Sequence, residues 1–209
     1  MDAEIASTNG LARGWVLPGE PLPVRFMNTI WADRRGIHDD LTLPVDVTDW
    51  LYKTGLLAVE DHPASAADLR QARRLRDACR RLAAHVTVDG RTPAASAIED
   101  VNEAIIEINA AAAAHPPIPR LVLRHGDLSR SQGQPGAALP NALTVLASAA
   151  IDLFTDADAP PLLACQAPGC VLYFVREHPR REWCSPACGN RARAARHYQR
   201  HRGSDLGPN

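Results

Sequence analysis

The sequence predicts a mainly α (α+β) fold, in which a helical N-terminal domain with a short β element precedes a small cysteine-rich module. Apolar residues recur at helical spacing in three stretches between residues 65 and 155, whereas strand-like alternation is confined to short runs. Two close cysteine pairs follow a proline-rich break at Pro160 and Pro161. We therefore predict two domains, at residues 20–158 and 162–203.

Short elements open the N-terminal domain. Leu22, Val24 and Phe26 alternate within residues 21–29, which predicts a short strand closed by Asn28 as a turn cap. A short helix with Trp50 follows, and it stops at Gly55.

Longer helices make up the rest of this domain. Ser65 and Asp68 form a capping-box start, and an apolar stripe follows at Leu69, Ala72, Leu75, Cys79, Leu82 and Val86. We interpret the arginines on the remaining circumference as a solvated face: Arg70, Arg73, Arg74, Arg76, Arg80 and Arg81. Further helices are predicted to start at Ser96 and at Pro140. Residues 121–123 predict a strand, and residues 126–136 either pair with it or form a loop.

Charge is unevenly distributed along the chain. The 209 residues carry a net charge of −1. From Cys165 onward, eight arginines oppose three acidic residues, which gives +5 and leaves −1 − 5 = −6 for the remainder. A basic tail suits a polyanionic partner, although an arginine-rich coding bias would produce the same excess. The N-terminus lacks a signal-peptide pattern and no stretch reaches about 18 apolar residues, so we expect a cytoplasmic protein with no membrane partner.

The cysteine spacing predicts a structural zinc site. Cys165 and Cys170 enclose four residues, Cys184 and Cys188 enclose three, and thirteen residues separate the pairs. Disulfides would need an oxidising compartment, and redox dithiols usually enclose two residues. Four cysteines fill a tetrahedral shell, so we predict one structural Zn²⁺ per chain and no catalytic water.

The residues after the second pair resemble a known family. Trp183-Cys-Ser-Pro-Ala-Cys-Gly-Asn-Arg191, with Phe174 in the spacer, resembles the CGNR-type zinc finger. That finger is found at the C-terminus of bacterial proteins with an ABATE domain, and residues 26–29 and 40–51 resemble the opening of that domain. The resemblance implies a stress-induced transcription regulator.

The helix after Cys188 has a predicted outward face. At about 100° per residue, this face consists of Asn190, Arg193, Arg196, His197 and Arg200, which are the candidate nucleic-acid contacts. Arg191 would instead hold the helix against the zinc loops or the N-terminal domain. Phe174 and Trp183 would cover the sulfur atoms, packing on Ala192, Ala195 and Tyr198.

Three functional hypotheses follow. The first is a transcription regulator that binds DNA, with an N-terminal domain that senses an effector or forms a homodimer. The second is a zinc-stabilised structural or protein-interaction module, because the basic tail could dock on the acidic remainder. The third is a small-molecule-binding domain with a pocket near Asn28. Nucleotide-binding and hydrolase motifs are absent from the sequence, so we do not expect an enzyme.

Overall fold

A computed structural model describes residues 17, 19–58, 63–133 and 138–204. Within these residues, six helices and three two-stranded antiparallel sheets confirm the mainly α (α+β) fold. In chain order, the elements are α1 (Leu22–Met27), β1 (Ile30–Asp33), β2 (Gly36–Asp39), α2 (Pro44–Lys53), α3 (Ala66–Val86), α4 (Val101–Ala114), β3 (Ile118–Arg124), β4 (Asp127–Gly133), α5 (Ala138–Thr155), β5 (Leu162–Ala164), β6 (Tyr173–Val175) and α6 (Pro186–Ser204).

The chain forms two compact units that are not continuous in sequence. The first unit comprises Met1–Asp40, Ala83–Ala95 and Asp158–Asn209, and the second comprises Leu41–Leu82 and Ser96–Ala157. The first unit therefore combines the cysteine-rich segment with two segments that precede it in the chain by about 70 residues or more. Helix α3 begins in the second unit and ends in the first.

Helices α4 and α5 pack together in the core of the second unit. Ala104, Ile108 and Ala111 are the buried side chains of α4, and the Thr144 hydroxyl of α5 donates a 2.9 Å hydrogen bond to the Ala111 carbonyl. Helix α5 (Ala138–Thr155) is long and apolar enough to cross a membrane by length and composition alone, which the sequence analysis did not anticipate. Eight of its residues are buried in the protein core, which accounts for the same composition.

Two arginines of α3 depart from the predicted solvated face. Arg76 and Arg80 are each only 1% exposed, so that part of the prediction is wrong. The Arg76 Nε atom lies 3.1 Å from an Asp77 carboxylate oxygen, and such pairing reduces the cost of burying a guanidinium. Cys79 is fully buried as predicted, and burial raises the pKa of its thiol to about 12.

Residues 22–27 form a helix, so the strand predicted there is wrong. Proline is favoured in a first helical turn, and both Pro21 and Pro23 stand at this helix start. Val24 and Met27 are three residues apart and both buried, which is helical spacing that the alternating apolar residues had masked.

The other predicted elements differ mainly at their ends. Ser65 and Asp68 cap the start of α3 as expected, with the Ser65 backbone N–H 2.8 Å from the Asp68 carboxylate. Helix α4 starts at Val101 rather than Ser96, because the Asp100 carboxylate accepts from the Asn102 N–H as the N-cap while the Ser96 hydroxyl bonds the Asp77 carbonyl. Residues 127–133 form β4 and pair with β3.

Candidate metal centre

The four cysteines of the two pairs converge on one point in the first unit. Their sulfur atoms all lie within 4.8 Å of one another, and all four residues are buried. Cys184 and Cys188 are 3.4 Å apart between sulfurs, and Cys170 and Cys184 are 3.9 Å apart. Zn–S bonds of about 2.3 Å in a tetrahedron place sulfurs about 3.8 Å apart. The donor set therefore fits one structural Zn²⁺.

Local sequence positions each jaw of this centre. Gly169 has φ +72°, which lets the chain turn so that the Cys170 N–H donates to the Ala167 carbonyl at 2.9 Å. Ser185 precedes the first residue of α6, and its hydroxyl accepts from the Cys188 N–H at 3.3 Å. Both features follow from local side-chain type, because glycine accepts a positive φ and serine is a favoured N-cap.

The thiol groups perturb one another strongly. The pKa of Cys165 is lowered to about 6, chiefly by a hydrogen bond with the Cys170 side chain. The pKa of Cys188 is also lowered, chiefly by a hydrogen bond with the Cys165 side chain. The pKa values of Cys170 and Cys184 are raised, chiefly because their side chains hydrogen-bond Cys165. Four thiolates this close repel one another unless a cation is shared between them. A bound divalent ion would hold all four in the thiolate form.

Each of the three residues after Cys188 makes or allows a structural contact. A Cβ atom on Gly189 would lie 3.1 Å from Cδ1 of Trp183, so glycine lets the indole pack against the helix. The Asn190 side-chain oxygen accepts a hydrogen bond from Arg193. Arg191 lies 3.2 Å from the Cys188 sulfur and donates to it, which offsets thiolate charge. The Cys-Gly-Asn-Arg string thus supplies a ligand, a packing site and two polar contacts.

Aromatic rings cover part of the centre. Phe174 is fully buried in the same cluster as the four cysteines, and the partly buried Trp183 packs against that cluster. The guanidinium of Arg181 lies 5.0 Å from the centre of the Phe174 ring. Tyr198 is 72% exposed, so the expectation that it packs with these rings is wrong. Tyr198 lies ten residues after Cys188 on α6, too far along the helix to cover the sulfur atoms.

Arg91, which sequence reasoning missed, clamps the first cysteine jaw. Its Nη1 donates to the carbonyl oxygens of both Cys165 and Cys170, the latter at 2.7 Å. The Asp89 carboxylate fixes the guanidinium through bonds of 2.7 Å to Nε and 2.7 Å to Nη2. It also accepts a 2.9 Å hydrogen bond from the Tyr173 hydroxyl. Although burial opposes ionisation, the hydrogen bonds from Arg91 and Tyr173 lower the pKa of Asp89.

Two N-terminal side chains hold the strand between the jaws. The Asn28 side-chain amide donates to the Tyr173 carbonyl at 2.8 Å and accepts from the Tyr173 N–H at 3.0 Å, as a neighbouring strand would. The Glu20 carboxylate accepts from the Val175 N–H at 2.8 Å and pairs with Arg181. Asn28 is therefore more than the turn cap predicted from sequence. Its partner lies 145 residues away, so no local pattern could have identified this contact.

The candidate nucleic-acid contacts all lie on α6. Their side chains are exposed at Asn190, Arg193, Arg196, His197 and Arg200. Arg196 lies 5.6 Å from the centre of the Trp183 ring, a cation–π distance that orients its guanidinium. Ala192 is buried on the opposite side of the helix.

Comparison with known families agrees with this architecture. A family model described as ABATE, putative stress-induced transcription regulator, matches residues 20–157. A second model, the CGNR zinc finger, matches residues 162–201. No curated protein matches the chain.

We predict that removing zinc perturbs the whole first unit. Treating the protein with a chelator should raise amide hydrogen exchange across residues 162–204, and also in residues 20–40 and 83–95, because these segments bond to the cysteine jaws and the strand between them. Helices α4 and α5 serve as the internal control and should stay protected. A change confined to residues 165–202 would contradict this.

Arg91→Ala should weaken zinc retention although Arg91 binds no metal. The change leaves the carbonyls of Cys165 and Cys170 without their donor and Asp89 without its cation, so we expect about 2–4 kcal/mol lower stability. Competition with a chromophoric chelator measures the retention. Arg91→Lys should recover only part of it, because an ammonium cannot span these partners. Arg35→Ala, in the exposed turn after β1, is the matched control.

Proposed function

Since the chain belongs to the ABATE family and ends in a CGNR zinc finger, we propose that it regulates transcription by binding DNA through α6. One observation carries the proposal. The first turn of α6 is fixed by Cys188, whereas residues 193–200 are exposed on nearly every side. Beyond its first turns, α6 therefore has no broad apolar stripe to bury, and it presents an exposed arginine-rich surface to a partner.

The charge of α6 supports a nucleic-acid partner. Between Trp183 and Ser204 the sequence contains five arginines and no acidic residue. The major groove is about 12 Å wide and admits one helix with its side chains. Arg193 is oriented by Asn190, and Arg196 by the Trp183 ring, so both guanidinium groups are partly pre-organised. Pre-organised arginines lose less entropy when they bind phosphates or base edges.

A structural role for the finger is the second candidate. Its supporting observation is that Arg181 is already engaged, by the Glu20 carboxylate and by the carbonyls of Val175 and Cys184. In that case the zinc centre would stabilise the fold of the first unit, and α6 would bind a protein surface instead of DNA. The third hypothesis loses the location predicted for it, because Asn28 is buried and bonded to the Tyr173 backbone.

Charge reversal separates the first two candidates. The variant Arg193→Glu/Arg200→Glu should bind duplex DNA at least about tenfold more weakly than the parent near 100 mM salt, because two phosphate contacts become repulsive. The measurement is fluorescence anisotropy with mixed-sequence duplexes between 50 and 200 mM salt, where parent affinity should fall steeply. Zinc content and circular dichroism should match the parent.

The matched control is Arg34→Glu/Arg35→Glu, which makes the same change in charge at the exposed turn between β1 and β2. It should retain most of the affinity. Equal binding by the α6 variant and the parent at low salt would refute DNA binding through this helix. Arg191→Ala should chiefly reduce stability, since its guanidinium contacts the Cys188 sulfur.

A further inference from the structure

The loop that precedes Cys184 and the first turns of α6 enclose a small surface cavity in the first unit. Its volume of about 230 Å³ is below the roughly 300–1,000 Å³ of pockets for drug-sized ligands, so it suits one small chemical group. The side chains that give this finger cavity its chemistry are Arg180, Arg181, Glu182, Trp183, Gly189 and Arg193. Arginine therefore dominates the charge of its lining.

Two of the three arginines carry unused hydrogen-bond donors. The Arg180 side chain is exposed, and it makes no hydrogen bond or ion pair with the residues that the structure describes. The Nη2 atom of Arg193 donates to the Asn190 side chain, whereas Nη1 bonds to none of these residues. Arg181 differs, because the Glu20 carboxylate and two backbone carbonyls already accept from it. An anion in the cavity would thus bind Arg180 and Arg193.

The indole of Trp183 adds a third donor beside Arg193. Cδ1 of Trp183 and Nη1 of Arg193 lie 3.1 Å and 3.4 Å from one point, the position that a Cβ atom on Gly189 would take. The indole nitrogen is bonded to Cδ1, so its N–H lies on the same edge of the ring. Trp183 is partly buried, and its N–H has no acceptor within the described part of the chain. Because tryptophan N–H groups usually find an acceptor when buried, this edge lacks a partner.

We propose that the finger cavity binds one phosphate of the DNA backbone, an inference that rests on the proposed binding of DNA through α6. Guanidinium groups bind phosphate oxygens through parallel hydrogen bonds, and the indole N–H is a further donor. The occupant belongs to DNA because Arg193 lines the cavity and also lies on the exposed face of α6, which makes the two surfaces continuous.

This assignment separates two roles within the finger. Contacts with phosphates fix the orientation of a protein on the duplex, whereas contacts with base edges read its sequence. Arg180 and Arg193 are accordingly positioning residues, and Arg180 is a contact outside α6 that the sequence analysis did not include. Any reading of base edges then falls to side chains farther along the helix.

The test is the salt dependence of duplex binding by the full-length zinc-loaded protein, measured by fluorescence anisotropy. Arg180→Ala should bind about tenfold more weakly, and its plot of log affinity against log salt should be shallower by about 0.9, the contribution of one phosphate. The loss should be the same for duplexes of unrelated sequence. Arg180→Lys should recover most of the slope, because an ammonium also binds phosphate. Arg35→Ala, at an exposed turn of the same unit, is the matched control and should keep the parent slope.

Two further variants give readouts that a purely structural role would not produce. Glu182→Gln removes the one carboxylate among the described lining residues, so it should bind DNA about threefold more tightly than the parent. Trp183→Phe keeps a ring against the zinc cluster but removes the N–H. It should bind DNA about threefold more weakly, the loss expected for one hydrogen bond, with zinc content unchanged.

The outcomes distinguish this phosphate site from DNA binding itself. Parent-like affinity and slope in Arg180→Ala would overturn the phosphate site, whereas DNA binding through α6 would still be supported by a loss of affinity in Arg193→Glu/Arg200→Glu. A loss in Arg180→Ala that depends on the DNA sequence would also overturn it, because the contact would then be to a base. A parent protein that binds no duplex at low salt would overturn both proposals.

Discussion

Everything in the first unit depends on holding four sulfur atoms within bonding distance of one cation. Thiolates at this spacing repel one another, so the geometry is stable only with a metal ion at its centre. The remaining features of the unit relieve that repulsion or fix the carbonyls around it. Arg191 donates to the Cys188 sulfur, and Arg91 donates to the carbonyls of Cys165 and Cys170. Phe174 is fully buried against the four cysteines.

The supporting contacts come from distant parts of the chain. Glu20, Asn28 and Arg91 all lie within the residues matched by the ABATE model, yet they bond to residues matched by the CGNR model. Outer contacts of this kind orient metal ligands and affect metal affinity. The finger is therefore built partly from the preceding family region, which also explains why its own core can be so small. Helix α6 is capped by Ser185 and packs through Ala192, whereas Arg193, Arg196 and Arg200 are exposed.

Local chemistry was predictable from the sequence, whereas long-range partners were not. The zinc ligands, the Pro168–Gly169 turn and the Ser185 cap follow from spacing and side-chain type within a few residues. Leu22–Met27 misled the prediction because its apolar residues fit both periods. Arg76 and Arg80 could not be recognised as buried, because composition does not record which helix face meets the core. Asn28 and Arg91 act on partners 145 and 74 residues away, beyond any local pattern.

The dependence of the finger on these distant residues can be measured directly. A fragment of residues 162–204 and the full-length chain would be compared for Zn²⁺ affinity by competition with a chromophoric chelator at the same pH. The fragment lacks the contacts from Glu20, Asn28 and Arg91, so its Zn²⁺ affinity should be at least about 10–100-fold weaker than that of the full-length chain. Equal affinity, with the fragment as well folded by circular dichroism as the finger in the intact chain, would contradict the account.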